Sequence, residues 1–300
     1  MRVIIAGGTG LIGRPLAKLF KNHGYEVIVL TRSPHKHDLS AGVKLHEWDA
    51  ETADGWGHLI HKNTALINLA GENPAASVWT EEHKERVLQS RLKAVGAMVD
   101  AVQSAHEKPS VLLQASAVGY YGNKGDTILT EHSPHGHNWR ADVCVHWENA
   151  AKPIEDMGVR VCYMRIGIVL DKNGGALPSF IQAAKLLGRR LGDGEQWLPW
   201  VHNTEISHMM RHLMLKETAH GAYNLVAHEP VTNTVFMQTL ADVMGRPALL
   251  PVPQFALKLA LGEMATTVLD SQRVVPQRFI EEGYEFQFTD LHKALADVMQ

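Results

Sequence analysis

The segment GGTGLIG, residues 7–13, follows the apolar run VIIA and enters a stretch, residues 11–23, whose apolar positions recur at helical spacing. A glycine triplet carries weight only between a strand and a helix, and this one lies there. Gly7 supplies a tight turn out of the strand, Gly10 lets a pyrophosphate approach the backbone, and Gly13 allows the helix to pack closely. Unpaired N–H groups at a helix start attract phosphate, so Thr9, Leu11 and Ile12 belong to the same expected cradle. The feature commits the chain to a dinucleotide-binding α/β fold.

The rest of the pattern agrees with that commitment. Apolar runs at residues 27–30, 65–69, 111–115 and 159–166 alternate with helical segments, the rhythm of βαβ units around a doubly wound parallel sheet. One helix starts after the N-cap Thr80 with Glu81 and Glu82 in its first turn, and places Leu88, Leu92, Val95, Val99 and Val102 on one stripe. After Leu170, glycine, proline and tryptophan gather in KNGGALPS, GDGEQWLPW and RPALLPVP, a boundary signal. We therefore expect a binding domain over residues 1–170 and a smaller C-terminal lobe over 171–300, with a strand near 222–226 returning to the main sheet. Residues 255–269 read as one amphipathic packing helix.

At the end of the second strand stand Thr31, Arg32 and Ser33, where a protein preferring NAD carries a carboxylate for the ribose 2′-hydroxyl. An arginine flanked by hydroxyls suits a 2′-phosphate instead. NADP is the expected cofactor. A net charge of −3 provides no basic surplus for nucleic acid or anionic lipid; Arg189 with Arg190, and Arg273 with Arg278, read as solvated or locally paired side chains. No apolar run approaches the roughly 18 residues of a membrane span. Two cysteines, Cys144 and Cys162, are too few for a disulfide framework, which points to a reducing, cytoplasmic setting, and the start of the chain runs straight into a strand rather than a leader.

GGTGLIG, TRSP at 31–34, NLAGE at 68–72, SAVGYYG at 116–122, MRIGIVL at 164–170, GGAL at 174–177 and VTN at 231–233 follow one another in this order. Together they resemble the extended and atypical short-chain dehydrogenases/reductases, specifically the epimerase-family proteins of YfcH type, across essentially the whole chain. The resemblance implies a Rossmann-like domain holding NADP and a C-terminal lobe closing over a small-molecule substrate. It implies that Thr31 and Arg32 meet the 2′-phosphate, that Leu69 and Ala70 pass under the cofactor, that Arg91 lies on the cofactor side, and that Val169 approaches the nicotinamide half. It also implies a tyrosine and a lysine one helical turn apart as the proton-transfer pair. Aligned on the helix before VRVCYMRIG, those places hold Cys144 and Glu148.

Hydride chemistry at a carbinol carbon still requires a group within hydrogen-bond reach to move the hydroxyl proton. Ser116, or Ala117 on a count back from Tyr121, takes the place of the hydroxyl that holds the substrate oxygen. Tyr121 and its neighbour Tyr120 bring a phenol to the site or pack in the core. Glu148 either balances a nicotinamide cation or faces solvent, and a buried Cys144 would be inert. His132, His135 and His137 crowd one loop without a metal-ligand pattern, so no metal is expected. Trp197, Trp200 and His202 form either a pocket wall or ordinary packing. The expectation is an NADP-binding oxidoreductase or epimerase-like enzyme on an unidentified small molecule, with a non-catalytic cofactor sensor as its rival; neither substrate nor oligomeric state is written in the sequence.

Overall fold

Alternate residues of the apolar runs fall on opposite faces of one sheet, as a side-chain period of two requires. Val3, Ile5, Val27, Val29, Ala65 and Ile67 enter one core, and Ile4, Ala6, Ile28, Leu30 and Leu66 enter the other. The computed structural model describes residues 1–186, 188–247 and 250–300, without the side chain of Arg189. Arg189, read from the sequence as a solvated or paired cation, and Ala248 and Leu249 of the RPALLPVP turn signal lie outside the described residues.

Seven strands form the main sheet: β1 (Arg2–Ala6), β2 (Glu26–Thr31), β3 (Lys44–Glu47), β4 (Thr64–Asn68), β5 (Val111–Ala117), β6 (Arg160–Ile166) and β7 (Gly221–Leu225). Their order is β7-β6-β5-β4-β1-β2-β3 and every pairing is parallel. The first face is covered by α1 (Gly13–Asn22) and α5 (Asn203–Leu215), through Leu16, Phe20, Met209, Met210 and Leu213. The second face is covered by α2 (Glu81–Ser104) and by α3 (Trp139–Ala150). The chain is a Rossmann-like, doubly wound α/β protein. Its strand order reverses between β1 and β4, so their carboxyl ends, Ala6 and Asn68, diverge and leave a crevice, the place where such sheets hold ligands.

The buried face of α2 differs from the stripe read in the sequence. Val87, Ala94, Val95, Met98, Ala101 and Val102 are buried, whereas Leu88, Leu92 and Val99 are only half-buried. Small alanines let the helix axis lie close to the sheet, which turns the bulkier leucines toward the rim. Residues 255–269 also depart from a single packing helix. A helix at Gln254–Leu261 stops at Gly262, whose φ of 56° favours glycine, and Phe255 and Leu259 stay exposed.

Beyond β6 the chain builds a third apolar core from α4 (Leu177–Lys185), α6 (Asn233–Val243) and α7 (Leu291–Met299), with Leu198 and Trp200 between them. The segment leading to α7 is tied to α5 by one buried carboxylate. Glu205 accepts from the Tyr284 hydroxyl at 2.6 Å and from the Gln287 and Phe288 amides at 2.7 and 2.8 Å. Beside it, Phe288 stacks on His202 at 3.7 Å. Glu205→Ala strands these donors, and a buried donor left unpaired costs roughly 1–3 kcal/mol. The expected outcome is a lower Tm together with earlier proteolytic cleavage between residues 284 and 290; a variant as stable and as resistant as the parent would remove the tie.

Candidate functional site

The glycine loop sits on the end of β4. Gly7 has φ of 76°, and a Cβ there would stand 2.8 Å from the carbonyl carbon and oxygen of Leu69, so only glycine permits the approach. At Gly13 a Cβ would fall 2.4 Å from the Gly8 Cα, which packs the helix start against the loop itself. Gly10 is different: its Cβ would meet only the Gly7 carbonyl oxygen at 3.2 Å, leaving open space above it. Gly7, Thr9, Gly10, Thr31, Arg32, Leu69 and Ala70 line one cavity of about 530 Å3, joined there by Ser33, His37 and Trp48. Asn68 fixes the turn into it, its side-chain oxygen accepting from the Ala70 amide at 3.1 Å while its amide donates to Gln114 at 3.0 Å.

The side chains of the remaining cradle candidates do not line that cavity. Leu11 accepts from Asn203 through its carbonyl at 3.2 Å, and Ile12 packs on the core beneath the loop. Val169 belongs to a short strand, Ile168–Leu170, paired with Trp200–His202, and lines neither this cavity nor the next. Arg32 is exposed and, among the described residues, makes no hydrogen bond or ion pair. Arg14, which the sequence reading passed over, donates to the Thr9 carbonyl at 2.8 Å and lies 3.2 Å from His37 Nδ1, bringing a second cation to the same rim. Only the position of Arg14, in the first turn of the helix directly after Gly13, could have signalled it.

Arg91 stands between this groove and a second cavity. Its guanidinium donates to the Glu72 and Val87 carbonyls at 3.0 and 2.9 Å, lies against Gly71, and sits 4.7 Å from the Trp147 ring centre. Burial holds its pKa below the usual guanidinium range. The second cavity, about 250 Å3, is walled by Trp79, Trp139, Trp147, Trp197 and Phe180, with Ala117, Gly119 and Cys144 at its inner end. Of the three residues read as a possible wall, only Trp197 lines it; Trp200 is buried in the third core and His202 stacks on Phe288, where burial lowers its pKa. Trp79, Trp139 and Trp147 were not singled out from the sequence, because they come from a loop and a helix with no common spacing.

Behind the inner end lies a buried polar network. Glu148 and Arg165 form a two-pronged pair, 2.9 Å at each prong, and the Ser116 hydroxyl donates to the same carboxylate at 2.7 Å. Arg165 also donates to the Tyr121 hydroxyl and to the Glu131 carbonyl at 3.1 Å, with its guanidinium 3.4 Å from the Tyr120 ring centre. Tyr121 in turn donates to Asn224 on β7 at 2.7 Å. Burial would lower the Arg165 pKa, but the Glu148 carboxylate raises it; burial pushes the Tyr121 phenol up to about 12. Ser116 and Tyr121 line neither cavity. The loop histidines pack edge to face, His135 against His137 and Tyr120, and among the described residues no group of three or more potential ligands could hold a metal.

Residues 3–225 match the model of the NAD dependent epimerase/dehydratase family. The chain belongs to that family. Residues 252–298 match a second model, a domain of unknown function. The epimerase family protein SDR39U1 homolog of Arabidopsis thaliana, named as chloroplastic, is 38% identical over 306 residues, covering 100% of this chain and 87% of that one. The epimerase family protein YfhF of Bacillus subtilis is 35% identical, covering 100% and 98%. The crystal structure of human epimerase family protein SDR39U1 with NADPH superposes with a TM-score of 0.87 at 31% identity, covering 99% of each chain. The Thermus thermophilus UDP-glucose 4-epimerase, solved with NAD, shares the fold at a TM-score of 0.75 and 18% identity, covering 99% and 98%.

Within this epimerase-family chain, the place read as the lysine is filled by a buried acid serving a buried arginine. Glu148 therefore neither faces solvent nor stands free as a counter-charge. Cys144, in the tyrosine's place, is 4% exposed, its thiol directed at the Ala117 carbonyl 3.6 Å away. Burial, helped by the Glu148 carboxylate, pushes that thiol up to about 11, so it keeps its proton at neutral pH. The ion pair yields a stability test. Glu148→Leu and Arg165→Met each leave one uncompensated buried charge, a loss of about 3–5 kcal/mol, whereas the double variant should recover much of it. Urea unfolding of the three proteins measures the coupling, and strictly additive losses would show that the two groups do not depend on each other.

Proposed function

We propose that this chain is an NADPH-dependent oxidoreductase or epimerase-like enzyme of YfcH type, acting on a small molecule. The observation that carries the reading is the groove itself: a glycine loop open only at Gly10, continuous with Thr31, Ser33 and an unpaired Arg32. The fit is to a phosphorylated ribose, since among the described residues the guanidinium has no partner and a bidentate phosphate would supply one. Glu47, in register with Thr31, and Asp49 line the adjoining cavity. The Asp49 carboxylate is already held by the Glu51 and Thr52 amides, each at 2.8 Å. The NADPH of the human relative supports the same choice.

When bound, the cofactor supplies a hydride. The chain's own residues hold phosphate at Gly7–Gly13 and Arg32, exclude water with the tryptophan walls, and shape the opening near Ala117. A carbonyl that accepts hydride needs a proton at its oxygen. The Ser116 and Tyr121 hydroxyls donate into the Glu148–Arg165 network, so in this reading they position the wall rather than transfer the proton. Cys144 reaches the cavity with its proton retained, but as a weak acid, which implies slow turnover. Residues 1–170 then hold the cofactor and residues 171–300 supply the substrate-side wall, in a reducing, cytoplasmic setting consistent with two free buried thiols. The largely apolar lining favours a second reading, a cofactor sensor that binds NADPH without turnover.

The test is a nicotinamide-fluorescence titration. NADPH is expected to bind more tightly than NADH, and Arg32→Ala to reduce that preference by about 1.5–3 kcal/mol, the range for a hydrogen bond to a charged group. Equal affinities in the parent protein would remove the assignment. Gly10→Val is expected to abolish binding with unchanged circular dichroism, because its side chain would project into the open space above the loop; a folded variant that still binds would exclude the cradle.

A further inference from the structure

The tryptophan-walled cavity is the substrate site in the reading above, and the present inference rests on that reading. Its walls come from separate parts of the chain: Trp79 before α2, Trp139 and Trp147 on α3, and Trp197 in a short strand beyond β6. No run of apolar sequence assembled them. Trp79 and Trp139 meet edge to face at 4.7 Å. The indole N–H of Trp79 donates to the Pro74 carbonyl at 2.9 Å and that of Trp197 to Asp126 at 2.7 Å, so these two rings have only carbon left to offer a ligand.

The polar groups of the lining are also largely spent within the protein. Arg140 pairs with Asp270. The Gln272 amide donates to the Val118 and Gly122 carbonyls at 2.8 and 3.0 Å. What remains is the Arg91 guanidinium, which among the described residues has no carboxylate partner, and two buried N–H groups with no acceptor among the described residues, the Trp147 indole and the Arg140 Nε. A sugar nucleotide brings a set of hydroxyls and a diphosphate, each costly to bury without a partner. This cavity could not satisfy them.

We propose that the cavity binds a flat, apolar, ring-containing molecule with one acceptor oxygen turned toward Arg91 and the Trp147 N–H, and that it rejects sugar nucleotides. Flat rings gain offset and edge contacts from such walls beyond simple burial, and one acceptor fills the corner where the Arg91 guanidinium lies 4.7 Å from the Trp147 ring centre.

Calorimetry with two probes tests the assignment on protein saturated with NADP+, so that the ketone probe cannot be reduced. 2-Acetonaphthone, a two-ring aromatic ketone, is expected to bind, and UDP-glucose to give no heat. Trp139→Ala and Trp79→Ala, both at half-buried positions and each checked by circular dichroism for an unchanged fold, should each weaken 2-acetonaphthone at least tenfold while NADP+ affinity stays within twofold. Binding of UDP-glucose, silence from both probes, or unchanged affinity in both variants would each overturn the proposal. The cofactor reading is scored separately: protein that fails to bind NADP+ but still takes 2-acetonaphthone would sink that reading and leave the cavity assignment standing.

Discussion

Removing a carboxylate and a guanidinium from water costs several kcal/mol per ion, and only close, multiply bonded geometry repays it. Glu148 and Arg165 meet that condition with two prongs between them, and with Ser116, Tyr121 and the Glu131 carbonyl filling the remaining valences. The pair joins α3 to β6 across the carboxyl end of β5. It thereby supports the inner wall of the tryptophan cavity, reaches β7 through Tyr121 and Asn224, and engages the Ser116 and Tyr121 hydroxyls in its hydrogen bonds.

The site thus consists of two compartments of opposite character. One is a polar groove built from backbone, with Gly10 open above the loop and cations at its rim. The other is an aromatic cavity whose polar groups are mostly paired off. Arg91 is the joint between them, anchored to the backbone of both Glu72 and Val87. It lines the aromatic cavity and lies against Gly71 of the groove.

Much of the groove was legible because its determinants are local. GGTGLIG and Thr31–Arg32 lie within a few residues of the strands that position them, and the doubly wound sheet follows from runs that keep a strict period. The second compartment was not legible in that way. Arg165 interrupts the apolar run VCYMRIGIV and so demands a buried partner, yet nothing local identifies Glu148, which lies 17 residues earlier. Leu88, Leu92 and Val99 looked like the core stripe of α2 because they are large, whereas close packing selected Ala94, Ala97 and Ala101. The helix expected over residues 255–269 failed at Gly262, whose conformation a periodicity count does not weigh. Val169 was carried over by resemblance alone; its strand pairs with Trp200–His202, and it is the neighbouring Ile168 that lines the tryptophan cavity.

The central claim is that the groove and the aromatic cavity form one site traversed by a single NADPH molecule. A crystal structure of this protein with NADPH measures it directly. The account predicts the 2′-phosphate within hydrogen-bond distance of Arg32, the pyrophosphate over Gly10, and the nicotinamide ring facing the cavity between Trp139 and Trp197. A cofactor whose 2′-phosphate avoids Arg32, or whose nicotinamide turns away from that cavity, would contradict it.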